Sequence, residues 1–242
     1  MTKPDYSQII DAPTWGFIAR TDASYPSDTV TMTISDQRRI YDTLCRAFFN
    51  GYPPGVTSED CRIGSVPCRV YPGAAPTVLY LHGGGFVVGG LDSHDDICAE
   101  IRASTGLTVV SADYRLCPEH PHPAAYDDAL AVATHLLATT PGLILAGDSA
   151  GGNLAAATVH HLRHAPGRLL GQVLIYPSLG GDRTSGSYLT HANAPMRNPG
   201  QDMKGSDFML AGTSTPIRVR IVGASANWSS TTSAAGIAAS PK

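Results

Sequence analysis

A stretch long enough to cross a membrane is missing from this sequence: no segment approaches the ~18 consecutive apolar residues of a membrane-spanning helix. The opening Met1-Thr-Lys-Pro-Asp-Tyr-Ser7 never builds the apolar run of a secretory signal. The resulting expectation is a cytoplasmic protein with no membrane span. A basic surplus is missing as well. With 17 Lys and Arg against 20 Asp and Glu the net charge is −3, and no basic stripe offers to neutralise phosphates, which argues against nucleic acid and anionic lipid as partners. Cysteine is scarce. The five present (Cys45, Cys61, Cys68, Cys98, Cys117) are scattered without a C-x-x-C pair, which speaks against a disulfide framework and against a zinc site.

What remains is an ordinary globular composition, 43% hydrophobic and 15% charged over 242 residues, enough for one sizeable core and one domain. Apolar runs alternate with helical patterns. Val78 to Leu81, Leu107 to Asp113, Leu143 to Gly147 and Gln172 to Tyr176 are short and uninterrupted, as strands of a parallel sheet buried on both faces are. Between them, Asp96 to Ser104, Ala124 to Ala138 and Ala150 to Arg163 have the pattern of crossover helices, so the fold class is α/β. A further helical stretch over residues 29–50 carries Ile40, Leu44, Phe48 and Phe49 at helical spacing.

Gly147-Asp148-Ser149-Ala150-Gly151 is a G-x-S-x-G pentapeptide standing between an apolar strand and an Ala-rich helix. On such a turn the serine hydroxyl is exposed, and the helix behind it offers unpaired N–H groups and a positive dipole end to a developing oxyanion. Ser149 is therefore the expected nucleophile, with Gly147, Asp148 and Gly151 shaping its turn. His82-Gly83-Gly84-Gly85-Phe86 follows directly on the strand Val78 to Leu81. Glycines in series let backbone N–H groups approach a substrate, and one such donor is worth ~100- to 1,000-fold in turnover. Gly83, Gly84 and Ala150 are the expected oxyanion hole, supported by His82 and Gly85.

With these segments, and with Asp113-Tyr-Arg-Leu-Cys-Pro-Glu-His-Pro-His-Pro-Ala-Ala125 and Gly147-Asp-Ser-Ala-Gly-Gly-Asn153, the sequence resembles the hormone-sensitive-lipase-like esterases of the α/β-hydrolase superfamily. The resemblance runs from near the N-terminus to about Met196. It implies an N-terminal helical cap, a mostly parallel eight-stranded sheet flanked by helices, and hydrolysis of small-molecule acyl esters by a Ser-Asp-His triad through an acyl-enzyme, without a cofactor or metal. It makes His82 a structural holder of its loop, and it places Phe48, Phe49 and Tyr52 on a compact pocket wall suited to short acyl groups. Cys117 and His122 stand where relatives more often have Ala and Phe, changes expected to be harmless. The implied layout is a cap over 1–55, a core over 56–196 and an atypical tail over 197–242.

The tail departs from the family pattern. Ser, Thr, Ala and Gly make up half of it, it holds neither Glu nor His, and only Pro216 to Gly223 has strand character. The Asp-Pro-Leu-like and His-Gly turns that carry the family's acid and base are not found, so the expectation is a missing last strand and helix, with a shifted reading frame after Met196 as the explanation. His160, His161 and His164 lie on or beyond the far end of the nucleophile helix, ~15 Å or more from its start. His191 with Asp182 remains as a surrogate base and acid. Two functions follow: a serine carboxylesterase with an incomplete triad, or a ligand-binding protein on the same fold that has lost catalysis.

Overall fold

The computed structural model describes residues 4–26, 28–180, 184, 186–191, 194 and 195. Asp182, the change of composition after Met196 and the tail over 197–242 lie outside the described residues. Three N-terminal helices each start where a side chain takes over an orphaned backbone N–H. Asp5 accepts from Ser7 N–H ahead of α1 (Tyr6–Ile9), and Asp11 accepts from Thr14 N–H ahead of α2 (Ala12–Ser24). Thr33 accepts from Asp36 N–H at the start of α3 (Ile34–Phe48) and donates its hydroxyl back to the Asp36 carboxylate at 2.7 Å.

The hairpin β1 (Glu59–Ile63) and β2 (Val66–Tyr71) follows, and then β3 (Ala74–Leu81), α4 (Asp95–Thr105), β4 (Leu107–Ala112), α5 (Ala124–Thr139), β5 (Leu143–Asp148), α6 (Ser149–Leu162), β6 (Leu169–Ile175) and the short α7 (Ser187–Thr190). The six strands lie in the order β1-β2-β4-β3-β5-β6. β1 with β2 and β2 with β4 are antiparallel, while β4, β3, β5 and β6 run parallel. This is the α/β-hydrolase architecture expected from the sequence. The hairpin was not legible, because β1 is polar and exposed along its length. The implied eight strands are six among the described residues.

Successive residues of a strand face opposite sides, and β3 uses both sides for burial. Leu79 and Leu81 enter one core with Leu143, Leu145, Ala129, Val132, Leu154 and others from α5 and α6; Val78 and Tyr80 enter a second with Tyr71, Val109, Cys98 and Ala99 on the α4 side. Pairing of β3 with β5 sets Leu81 opposite Gly147, so the chain leaves both strands at the same sheet edge and at the same height. Everything that follows in the site depends on that register.

A guanidinium on α3 makes several bonds to this core. Arg38 on α3 donates to the Val87 carbonyl at 2.8 Å, to the Cys117 carbonyl at 2.9 Å and, as a fork, to both carboxylate oxygens of Glu119. The Phe48 ring sits 5.1 Å from Phe17 on α2, and the Arg20 guanidinium lies over it at 4.3 Å. Phe49 lies 5.6 Å from Tyr52, whose hydroxyl donates to buried Asp95. Among the described residues no helix is long and apolar enough to cross a membrane.

Leu145 is fully buried at the centre of β5. Leu145→Ala should lower stability by about 2–5 kcal/mol, since a cavity there cannot collapse between two packed helices and the sheet. The urea midpoint measures the loss, and a change below about 1 kcal/mol would contradict the core assignment.

Candidate active site

β5 ends at Asp148 and α6 begins at Ser149 with no residue between them. Ser149 takes a left-handed backbone, φ 48°, a conformation that a non-glycine residue adopts only when its surroundings impose it. The crowding is visible at Gly151, where a Cβ would fall 1.9 Å from the Leu81 carbonyl oxygen, and at Gly147, where it would fall 2.6 Å from the same oxygen. Helix α6 thus rests directly on the end of β3. Ser149 is partly exposed at this turn, while Ala150 is buried as the second residue of the helix, among the first-turn N–H groups that a helix leaves without an internal acceptor.

The glycine loop faces this turn from the end of β3. Gly83 was expected to offer its N–H to substrate, but that N–H donates to Asp148 Oδ1 at 2.9 Å. A side chain at Gly83 would put Cβ 2.1 Å from Asp148 Oδ2, so the two chains meet without space for one. Gly84, at φ 118°, and Gly85, at φ 61°, follow, and neither N–H has a hydrogen-bond partner among the described residues. The Gly84 carbonyl accepts from Val87 and Val88 N–H, which curls the loop back on itself.

His82 is fully buried, its ring stacked on Tyr114 at 4.2 Å. Its Nδ1 lies 2.7 Å from the Gly83 carbonyl, and its Nε2 has no partner among the described residues. That pattern fits a neutral ring, with Nδ1–H donating and Nε2 bare. Burial, reinforced by the neighbouring His94, pushes its pKa down to about 3. Tyr114 donates its hydroxyl to the His82 carbonyl at 2.6 Å, so both the ring and the backbone of His82 are fixed.

Asp148 is the hub of the site. Burial alone would raise its pKa, but hydrogen bonds from His94, Tyr80 and the Gly83 N–H outweigh burial and hold it below the usual carboxylate range. Tyr80 donates at 2.9 Å, and His94 Nε2 stands 3.3 Å away. Neither Tyr80 nor His94 was singled out in the sequence. Tyr80 is hidden as one more apolar residue of β3, and His94 carries no motif beyond its place before a helix. Tyr41 on α3 stacks on His94 with centroids 6.4 Å apart, and burial raises its hydroxyl pKa; Tyr176, directly after the Ile175 that pairs with Asp148, is exposed.

No hydrogen bond joins Ser149 Oγ to another side chain among the described residues. His191, the expected surrogate base, is exposed after α7, with its Nδ1 3.0 Å from the hydroxyl of Tyr6 on α1. The Ser149 carbonyl accepts from Ser178 N–H, and Asn153 donates to the Ser178 carbonyl, so the segment after β6 is laced to the turn. No group of three or more His, Cys, Asp or Glu side chains among the described residues could hold a metal ion.

A family model described as alpha/beta hydrolase fold matches residues 78–225. The chain is similar to the esterase LipI of Mycobacterium tuberculosis, 45% identical over 130 residues that make up 50% of this chain and 41% of that protein. It is similar also to an acetyl esterase of Salmonella paratyphi A, 38% identical over 144 residues, 54% of this chain and 44% of that protein. The matches span less than half the length of these curated relatives. Among solved structures, an esterase from the bacterial hormone-sensitive lipase family superposes with a TM-score of 0.73 at 31% identity, over 86% of this chain and 71% of that one.

The burial of His82 has a measurable consequence. Its folded pKa, about 3, lies below the ~6.5 of an unfolded histidine, so between these values the unfolded chain binds the extra proton and stability falls as pH falls. From pH 7 to pH 5 the loss assignable to His82 is about 2 kcal/mol. Asp148 acts in the same direction, but only below the unfolded carboxylate value of 3.8, outside that interval. Urea midpoints at pH 7 and pH 5 should therefore differ less in His82→Gln than in the native chain. Equal differences in the two proteins would refute the neutral buried ring.

Proposed function

The chain belongs to the hormone-sensitive-lipase-like esterases of the α/β-hydrolase fold, and from that premise we propose that it hydrolyses short-chain carboxylic esters of small molecules through a Ser149 acyl-enzyme. The observation that carries the reading is the strained Ser149, at φ 48°, on a turn bonded through Asp148 to the glycine loop, whose Gly84 and Gly85 N–H groups have no partner among the described residues. Attack of Ser149 Oγ on an ester carbonyl moves negative charge onto the carbonyl oxygen. Gly84, Gly85 and Ala150 N–H receive that charge, aided by the positive end of α6. Gly83 serves from behind, its N–H spent on Asp148. Collapse of the attacked carbonyl centre breaks the bond to the alcohol, which leaves with a proton, and water then cleaves the serine ester to release the acid and restore the Ser149 hydroxyl.

The stacking of Tyr41 on His94, which contacts Asp148 beside the turn, favours a small acyl group, as does the likeness to a protein named acetyl esterase. Each transfer also needs a proton acceptor. The absence of any histidine hydrogen-bonded to Ser149 among the described residues favours a second reading, a ligand-binding protein that keeps the pocket without turnover.

Two esters separate these readings. p-Nitrophenyl acetate has a leaving group that needs no protonation, so the oxyanion donors alone accelerate its cleavage, whereas ethyl acetate needs both proton transfers. Hydrolysis of both esters, lowered by ~10⁶ in Ser149→Ala, is the expected result if a base is in place. Cleavage of the activated ester alone, still dependent on Ser149, would mean a nucleophile without a base. Saturable binding of esters by calorimetry with no Ser149-dependent turnover of either would replace the esterase reading with the binding one.

A further inference from the structure

One buried imidazole touches both ends of the glycine loop. At the end of the loop, Gly90 N–H donates to Ser93 Oγ at 2.9 Å, and Ser93 Oγ lies 2.8 Å from His94 Nδ1. At its start, Gly83 N–H donates to Asp148 Oδ1 at 2.9 Å, and both the Gly83 nitrogen and Asp148 Oδ1 stand 3.3 Å from His94 Nε2. Proton positions follow from the acceptors. An ionised carboxylate can only accept, so Nε2 carries a hydrogen and donates to Asp148. On the other side Nδ1 shares a hydrogen bond with Ser93 Oγ, which accepts from Gly90 N–H and lies 3.1 Å from the Gly90 carbonyl. Both ring nitrogens of His94 thus have a partner, as burial of the ring at 3% exposure requires.

The ring cannot turn away from this task. Tyr41 stacks on it with centroids 6.4 Å apart, while His82 at 5.5 Å and Tyr80 at 6.1 Å crowd its other sides. His94 is also the residue immediately before α4, which anchors its backbone to a packed helix. A structural histidine could sit anywhere in such a core. This one bonds, through one side chain on each flank, to the first and last turns of the segment that contains Gly84 and Gly85.

We infer that His94 is a positioning residue: through Ser93 and Asp148 it braces residues 83–90 at both ends and so fixes the aim of the Gly84 and Gly85 N–H groups at Ser149. Asp148 is held by three donors, and without the imidazole it keeps Tyr80 and Gly83 alone. Gly90 would lose its acceptor's partner at the same time. The loop would then remain folded but be free to swing by a fraction of an ångström, and misplacement on the order of 1 Å costs about a hundredfold in rate. The kinetic part of this inference rests on the esterase reading above.

The test uses the full chain with ¹⁵N-labelled glycine and three variants, His94→Leu, His94→Gln and Ser93→Ala. Glutamine places an amide donor where Nε2 was and so restores the bond to Asp148 alone. In the native protein the Gly83 amide proton should resonate far downfield and exchange slowly. In His94→Leu it should move upfield and exchange at least ~10-fold faster, with Gly147 and Gly106 unchanged, and His94→Gln should bring it back. The rate of Ser149 modification by a fluorophosphonate should fall about a hundredfold in His94→Leu and recover in His94→Gln. Ser93→Ala should loosen Gly90 and leave Gly83 near native, which tests the chain should His94→Leu fail to fold. A folded His94→Leu with a native Gly83 resonance and native exchange would overturn the inference. If the native Ser149 reacts with no reagent, the esterase reading fails by itself, and the amide measurements still decide the role of His94.

Discussion

The hydrogen bond from the Gly83 N–H to the Asp148 carboxylate joins the two loops on which the site is built, and most of the surrounding structure serves to make it possible. Side-by-side pairing of β3 with β5 brings the loops to the same height. The lack of a Cβ at Gly83 lets the carboxylate come within hydrogen-bond range of the backbone. Tyr80 and His94 compensate the charge for its burial, because a carboxylate withdrawn from water survives there only if its lone pairs are met. Since Asp148 is also the residue before Ser149, any movement of the glycine loop is felt one bond away from the nucleophile.

Around this join the molecule uses different physical means on its two sides. The core under the loops is held by apolar burial on both faces of β3 and β5. The N-terminal helices depend far more on one polar contact. Arg38 reaches across to two carbonyls and one carboxylate, and Val87 and Cys117, which accept from it, flank Phe86 in the loop and its partner segment. Guanidinium forks are directional, so this attachment sets the angle of α3 as well as its presence. Tyr41, on the same helix, is thereby delivered beside His94.

What could be read from the sequence was what is local. The glycine and serine segments announce a strand-to-loop and a strand-to-helix junction, and their backbone needs are written in residue type alone. The direction of each N–H is not, since consecutive peptide groups in a glycine loop point different ways; hence Gly83 was counted among the substrate donors though it faces Asp148. Tyr80 and His94 reach the carboxylate only after the chain has crossed the sheet, and no spacing rule links them to it. Phe48, Phe49 and Tyr52 were placed on a pocket wall from family layout, and the contacts of Phe48 with Phe17 and of Tyr52 with Asp95 were equally invisible to spacing. The hairpin of β1 and β2 escaped notice because its outer strand has almost no apolar pattern to detect.

A strand that passes into a helix without an intervening residue has no slack. One inserted residue at the Asp148–Ser149 junction would rotate α6 by about 100° about its axis, turning Leu154 and Leu162 out of the core and carrying polar positions into it. Length changes are thus closed to this part of the chain. The N-terminal helices reach the junction's surroundings through side chains such as Arg38 and Tyr41, contacts that tolerate small shifts where the strand, the turn and the helix do not.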